Sequence, residues 1–231
     1  MIDIRPFNGL GTFRNEWLDA HYHFSFSQYY DPSRMGHGKL RVWNDDKVRP
    51  QTGFPPHGHR DMEIITYVRK GAITHEDSLG NKGRTEAGDV QVMSAGTGVR
   101  HSEFNLEDET TTLFQIWIET DKPGAKPGWG MKPFPKSDRS GKFQVLASGN
   151  PDDGALDINA DARVLGATLK AGESLTYELA EGRRAYLVPA VGSIDVNGTA
   201  LNARDGAGIK DEATLTVTAR EDAELVMVDS R

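Results

Sequence analysis

Two short pairs of side chains that can bind a metal lie within residues 53–105 of this 231-residue sequence. The first pair is His57 and His59, and the second is His101 and Glu103. Successive side chains of a β-strand point to opposite faces, so the two members of each pair are expected to share one face. If the two strands lie close together, three imidazoles and one carboxylate converge. That is a ligand set for one divalent first-row metal with a position left open.

The pattern of apolar residues predicts short β-strands along the whole sequence and no long helix. Residues 62–69 are rich in β-branched and aromatic side chains, and residues 113–118 are alternating and apolar-rich. In the second half, strands separated by turns are predicted at 143–147, 164–169, 175–179, 186–191, 194–196, 215–217 and 225–228. We therefore predict an all-β protein of the sandwich or barrel type.

A proline-rich segment at 122–136 divides the sequence into two parts of different composition. All seven histidines lie in residues 1–101, whereas the second part keeps the strand pattern without any histidine. We therefore predict an N-terminal metal-binding domain over 1–130. A C-terminal domain over 131–231 is predicted to have a similar fold and no metal ligands.

The composition limits the classes of function. The net charge is −7, with 27 basic and 34 acidic residues, which disfavours a nucleic-acid-binding protein. There are no cysteines, so disulfides and thiolate ligands are excluded. No signal-peptide pattern follows Met1, and no run of 18 apolar residues is present. We expect a soluble, cytoplasmic, monomeric protein without nucleic-acid or membrane partners.

Two segments resemble the two sequence motifs of the cupin superfamily. Residues 53–71 contain a His-x-His pair followed by a glutamate and a glycine, and residues 88–105 contain a glycine, a histidine and an asparagine in the expected order. Within these segments, residues 57–63 and 93–103 more closely resemble the pirin family, and in particular bacterial pirin-like quercetin 2,3-dioxygenases. The resemblance extends to the segments 23–26, 30–32 and 40–45, and we expect it to cover the whole chain.

The resemblance implies a fold and a metal. It implies two cupin-type jelly-roll β-barrels arranged face to face, a bicupin, with one metal per chain bound by His57, His59, His101 and Glu103. Iron(II) is the metal we favour, and nickel, manganese, cobalt, copper and zinc are alternatives. Imidazole and carboxylate ligands discriminate weakly among these ions, and the order of intrinsic affinities by itself would favour copper.

The identity of the fourth ligand is open between two glutamates. In many cupins it is the glutamate of the first motif, here Glu63, whereas in pirins it is the glutamate two residues after the third histidine, here Glu103. Strand parity does not separate them, because residues 57, 59 and 63 have the same parity. We favour Glu103, since a His-x-Glu pair mirrors the His-x-His pair and the pirin resemblance is the closer one. Glu63 would then support the ligands without binding the metal.

The resemblance also implies a reaction. It implies a dioxygenase that cleaves the central ring of flavonols such as quercetin and releases carbon monoxide, with a flavonol and dioxygen as substrates. Glu103 would be the catalytic base for the flavonol hydroxyl. Four aromatic residues near the motifs would either wall the site or pack in the core: Phe24, Phe26, Trp43 and Phe54.

Two other functions remain as alternatives. Some pirins are regarded as transcription co-regulators, so the chain could instead be a metal-dependent interaction protein without a dedicated substrate. A metal-dependent isomerase or hydrolase is the third reading, because the cupin fold hosts many chemistries. Of the remaining histidines, His21 and His23 are predicted to pack in the core and His37 to lie in an exposed loop, while His75 has no assigned role.

Overall fold

The computed structural model describes residues 1–231, and its regular structure is almost entirely β. The first twelve strands are β1 Ile2–Arg5, β2 Gly11–Arg14, β3 Leu18–Tyr22, β4 Leu40–Val48, β5 Thr52–His59, β6 Met62–Lys70, β7 Ala72–Asp77, β8 Lys82–Glu86, β9 Val90–Ser94, β10 Val99–Asn105, β11 Thr111–Glu119 and β12 Gly128–Lys132. The remaining strands are β13 Gln144–Ser148, β14 Leu156–Asp157, β15 Ala162–Leu169, β16 Ser174–Glu178, β17 Arg184–Val191, β18 Ile194–Val196, β19 Thr199–Leu201, β20 Gly206–Lys210, β21 Thr214–Ala219 and β22 Ala223–Ser230. Three single-turn 3-10 helices complete the chain, at Phe7–Gly9, Lys136–Arg139 and Pro151–Asp153. No helix has the length and apolar character that a membrane span requires.

Each half of the chain forms one seven-stranded and one four-stranded sheet. In the N-terminal half the strand orders are β12-β9-β6-β11-β4-β3-β2 and β5-β10-β7-β8. In the C-terminal half they are β1-β20-β17-β22-β15-β13-β14 and β16-β21-β18-β19. The prediction of an all-β protein is confirmed. The two sheets of each half share no hydrogen-bonded ladder, so the prediction of closed jelly-roll barrels is not confirmed.

Two strands lie at sheet edges that the sequence pattern does not predict. Strand β1 pairs with β20, so the N-terminus of the chain forms the edge of the C-terminal seven-stranded sheet. Strand β12 lies inside the proline-rich segment and pairs with β9 along its whole length. This segment is therefore partly ordered as a sheet edge, and the last strand of the first half ends at Lys132. The domain boundary at residue 130 stays a prediction.

The hydrophobic cores explain why the two halves stay together. The largest core contains 22 buried residues and lies between the two seven-stranded sheets, with Trp43 and Phe114 from one sheet and Tyr186 and Val226 from the other. A second core of 18 residues fills the space between the two C-terminal sheets. The corresponding space in the N-terminal half contains only clusters of four, four and three buried apolar residues. It is therefore the N-terminal half that has room for a polar site.

A buried polar cluster links the two halves beside the largest core. The fully buried Arg139 donates from Nη2 to the Tyr67 hydroxyl at 2.7 Å, and Tyr67 donates to Glu224 on β22. Arg139 Nη2 also lies 3.5 Å from the Glu224 carboxylate, to which Lys136 donates at 2.6 Å. A buried carboxylate needs such partners, because desolvation strongly disfavours an unpaired charge.

Removing this guanidinium should destabilise the protein more than removing an exposed cation. For Arg139→Ala we expect the free energy of unfolding in urea to fall by about 3–5 kcal/mol, because a buried partner of Glu224 is lost. The control is Lys170→Ala, which removes an exposed ion pair with Asp222 and should change the stability little, because water screens exposed charges. Equal losses in the two variants would show that the buried cluster does not stabilise the contact between the halves.

Candidate metal centre

Pairing between β5 and β10 brings the two predicted ligand pairs together. His101 lies directly opposite His57, and Val99 lies opposite His59. The register shifts between His101 and Glu103, where β5 contributes one residue more than β10. Pro55 and Pro56 lie in this extra stretch, and a proline cannot donate a ladder hydrogen bond, which explains the bulge. Both pairs face the space between the two N-terminal sheets.

The three imidazoles form one compact group. One nitrogen each from His57, His59 and His101 lies within 4.8 Å of the other two, and the Nε2 atoms of His57 and His101 are 3.1 Å apart. A second group, with the same spacing limit, contains His75, His101 and Glu103. His101 belongs to both groups and is therefore at the centre of the cluster.

Hydrogen-bond partners determine which ring nitrogens carry a proton. His57 Nδ1 lies 2.8 Å from the Pro55 carbonyl oxygen, which can only accept, so Nδ1 carries the proton and Nε2 keeps its lone pair. His75 Nε2 donates to the Asp77 carboxylate at 3.0 Å, and its Nδ1 lies 3.4 Å from His101 Nδ1. In the tautomer in which only Nε2 carries the proton, His75 Nδ1 accepts from His101 Nδ1–H. The lone pair of His101 Nε2 is then also directed into the site.

Two lone pairs that face each other at 3.1 Å repel unless a cation lies beside both. Nitrogen atoms bind first-row metals at about 2.0–2.1 Å, so two ligands of one ion can lie this close to each other. The residues present therefore fit a divalent metal. The Pro55 carbonyl at His57 Nδ1 and the His75 ring at His101 Nδ1 are partners that can orient metal-binding histidines.

Burial keeps the imidazoles of His59 and His101 neutral, as metal binding requires. Burial, followed by the neighbouring rings of His57 and His75, lowers the pKa of His101 to about 3. Burial, followed by His101 and His57, lowers the pKa of His59 to about 4. Burial raises the pKa of Asp77, but hydrogen bonds from Asn81 and His75 outweigh it, so the pKa is lowered and Asp77 is a charged acceptor. The lone pairs are therefore available at neutral pH.

Glu103 is buried against the opposite sheet, where three neutral side chains donate to its carboxylate. Gln91 Nε2 and Thr66 Oγ1 donate to Oε1 at 2.6 and 3.0 Å, and Gln115 Nε2 donates to Oε2 at 2.9 Å. Gln115 is in register with Thr66 and Thr66 with Gln91, so the donors form a row across three adjacent strands. A carboxylate has about four acceptor sites, which leaves about one for another partner. The sequence analysis missed these donors, and their only signal is polar residues at inward positions of apolar strands.

Glu63 lies on the other face of the seven-stranded sheet. It belongs to β6, whereas His57 and His59 belong to β5, and the turn between the strands includes Asp61 with φ 48°. Glu63 is buried and accepts a hydrogen bond from Ser94. It has the parity of Ile65, which packs in the core between the two halves, and not that of Thr66. The common parity of residues 57, 59 and 63 therefore does not place them on a common face.

The other histidines are not brought into the cluster, except His75. His23 is buried and its Nδ1 lies 2.8 Å from the Tyr186 hydroxyl, and His21 is buried against Phe7, so both pack as predicted. His37 was predicted to be exposed, but it is partly buried against the C-terminal half, with Nε2 3.1 Å from the Ile209 carbonyl oxygen. His75 is fully buried, and the Trp129 ring stacks on it with centroids 4.9 Å apart. Gly83 leaves room for that ring, because a Cβ there would lie 2.2 Å from Trp129.

His57, His59 and His101 line a cavity of about 400 Å³ between the two N-terminal sheets. Of the four aromatic residues considered above, Phe26 and Phe54 line the cavity, whereas Phe24 and Trp43 pack in the core between the halves. The other aromatic lining residues are Phe13, Trp17, Tyr22 and Trp117. The cavity therefore combines aromatic walls with a cluster of imidazoles and carboxylates, as ligand-binding sites commonly do.

Fold and site together define a two-domain cupin-type protein with a histidine-rich candidate metal centre. Residues 4–118 match the Pirin family, and residues 145–230 match the family described as Quercetinase C-terminal cupin domain. A pirin-like protein from Caulobacter vibrioides is 68% identical over 231 residues, covering 100% of both chains. The chain belongs to the pirin family.

Two Escherichia coli comparisons bear on the site. A quercetin 2,3-dioxygenase from strain K12 is 39% identical over 230 residues, covering 99% of this chain and 98% of the relative. The crystal structure of the bacterial pirin YhhW in complex with nickel(II) has a TM-score of 0.94 and 38% identity, covering 100% of this chain and 99% of that chain.

His75 should affect metal binding although it is not among the predicted ligands. In His75→Phe the ring that stacks on Trp129 is kept, but His101 Nδ1–H loses its acceptor. We expect the affinity for nickel(II), measured by titration of metal-free protein, to fall by about 10- to 100-fold. The control His37→Phe makes the same change outside the cluster and should leave the affinity unchanged. An unaltered affinity in His75→Phe would show that His75 does not orient His101.

Proposed function

We propose that this chain is a metal-dependent dioxygenase that cleaves the central ring of flavonols such as quercetin with release of carbon monoxide. The observation that carries the proposal is a cavity with aromatic walls that is lined by His57, His59, His101 and Glu103, in which the three imidazoles lie within 4.8 Å of one another. The substrate class is supported by the E. coli relative named quercetin 2,3-dioxygenase.

The proposed ligands of the metal are His57, His59, His101 and Glu103, with one ion per chain. We favour iron(II), and the nickel(II) complex of the E. coli pirin supports a site that also accepts nickel. When bound, the metal supplies a positive charge and open positions that bind a substrate through adjacent hydroxyl and keto oxygens and allow reaction with dioxygen.

Glu103 is proposed to accept the proton of the substrate hydroxyl. Three hydrogen bonds hold its carboxylate in place and leave about one acceptor site, on Oε2, for another partner. A carboxylate in this position can take the proton directly as the hydroxyl oxygen binds, without an intervening water. Glu63 cannot do this from the opposite face of its sheet.

The aromatic walls are proposed to bind and orient the planar rings. The Trp117 ring meets the His59 ring edge-on with centroids 4.9 Å apart, and Phe26 packs edge-on against Trp117 at 5.4 Å. Phe54 lies opposite Glu103 in the strand register, where Gly53 permits close approach because a Cβ there would lie 2.2 Å from the Glu103 carbonyl oxygen. These rings exclude water around a bound flavonol and fix its plane relative to Glu103. We propose that the protein acts as a monomer on a flavonol and dioxygen.

Oxygen consumption tests the reaction directly. Iron(II)-loaded protein supplied with quercetin should consume dioxygen and release carbon monoxide in equal amounts, and metal-free protein should do neither. Reloading the metal-free protein should restore both signals, which separates loss of metal from loss of fold. A loaded protein that binds the metal but consumes no oxygen with any flavonol would favour the interaction-protein alternative.

The two glutamates give a matched pair of variants for the site assignment. In Glu103→Gln we expect weakened metal binding and no flavonol turnover, because a ligand and a proton acceptor are lost together. In Glu63→Gln we expect the metal to be retained, with an effect on activity of at most about 10- to 100-fold. Metal content by elemental analysis and turnover by oxygen uptake are measured on both. The reverse ranking would assign the fourth ligand to Glu63.

A further inference from the structure

Two buried polar side chains in the cavity have no partner in the protein. Asn44 and Asp46 lie on β4, are only 4% and 2% exposed, and both line the cavity. Asn44 Oδ1 and Asp46 Oδ1 are buried and make no hydrogen bond within the protein. A buried polar group without a partner destabilises the folded protein, so such a pair in a cavity points to a ligand that satisfies it.

The register of the sheet shows how Asn44 differs from the neighbouring polar residues, which do have a partner. The polar row that holds Glu103 continues by one strand, because Gln115 is in register with Asn44. Gln91, Thr66 and Gln115 all donate to Glu103, whereas Asn44 and Asp46 make no hydrogen bond to it. The same row therefore has one part that binds a protein carboxylate and one part that is left for another molecule.

The environment of Asp46 favours a neutral carboxyl group. Burial, followed by the carboxylates of Asp45 and Glu103, raises the pKa of Asp46 well above its ordinary value. Asp45 itself points to the other face, where Arg69 and Arg204 bind it. A neutral carboxyl both donates and accepts a hydrogen bond, as a phenolic hydroxyl does.

We propose that Asp46, assisted by Asn44, binds a phenolic hydroxyl of the ligand and makes the site selective for polyhydroxylated aromatic compounds. Asp46 belongs to the seven-stranded sheet and the histidines to the four-stranded sheet, and packed sheets lie about 10 Å apart. The recognised hydroxyl therefore lies on the side of the cavity opposite the histidines, and it is a different group from the hydroxyl and keto oxygens proposed to bind the metal. This placement of the ligand rests on the proposed function.

The test compares two ligands that share the metal-binding oxygens. Quercetin carries further phenolic hydroxyls on its outer rings, and 3-hydroxyflavone carries none. Binding of each is measured without oxygen in nickel(II)-loaded protein, by fluorescence titration. In Asp46→Leu the affinity for quercetin should fall by about 10- to 100-fold, as expected for a lost buried hydrogen bond, while the affinity for 3-hydroxyflavone stays within about threefold.

Two further variants keep the test decisive. Asp46→Asn retains a donor and an acceptor and should keep most of the preference for quercetin. Asn44→Ala should reduce that preference in the same direction as Asp46→Leu, and it serves if Asp46→Leu does not fold. Equal losses for the two ligands, or no loss in any variant, would overturn the inference.

The outcomes separate this inference from the proposed function. Selective quercetin binding that depends on Asp46, without oxygen consumption in the iron(II)-loaded protein, would overturn the dioxygenase and keep the hydroxyl subsite. Turnover of both flavonols with no effect of Asp46→Leu on their relative affinities would keep the dioxygenase and overturn the subsite.

Discussion

The N-terminal half depends on hydrogen bonds that compensate for the burial of the Glu103 carboxylate. A carboxylate removed from water is strongly disfavoured unless hydrogen bonds replace the lost solvation. Gln91, Thr66 and Gln115 supply these bonds from three adjacent strands of the facing sheet. Polar side chains therefore occupy inward positions that apolar residues would otherwise fill, and the space between the sheets remains a cavity with polar and aromatic surfaces.

The C-terminal half has the same arrangement of sheets, but the space between them is filled by apolar residues. Its two sheets enclose a continuous core of 18 apolar residues, and it contains no histidine. It stabilises the N-terminal half through packing and hydrogen bonds. The core of 22 residues supports the back of the sheet that bears the Glu103 donors, and strand β1 and Arg139 add hydrogen bonds between the halves.

Orientation of the imidazoles depends on groups outside the predicted ligand set. The Pro55 carbonyl determines which nitrogen of His57 is protonated, and the chain from Asp77 through His75 does the same for His101. A site whose lone pairs are directed before the ion arrives needs little rearrangement to bind it. The same fixed geometry defines where the rest of a ligand must lie, and so makes the unpartnered Asn44 and Asp46 informative about its chemistry.

The sequence by itself determined the all-β class, the second half without histidines and the common face of the two residues in each ligand pair. These properties follow from strand alternation, which is local: residues 57 and 59, or 101 and 103, share a face wherever their strands lie. Only the tertiary structure decided that Glu63 lies on a different strand and faces the opposite core, that His75 supports His101, and that β1 joins the second half. It also decided which polar residues face Glu103 and which, like Asp46, face the cavity alone. Each of these depends on the register between strands distant in sequence, and a single sequence does not specify that register.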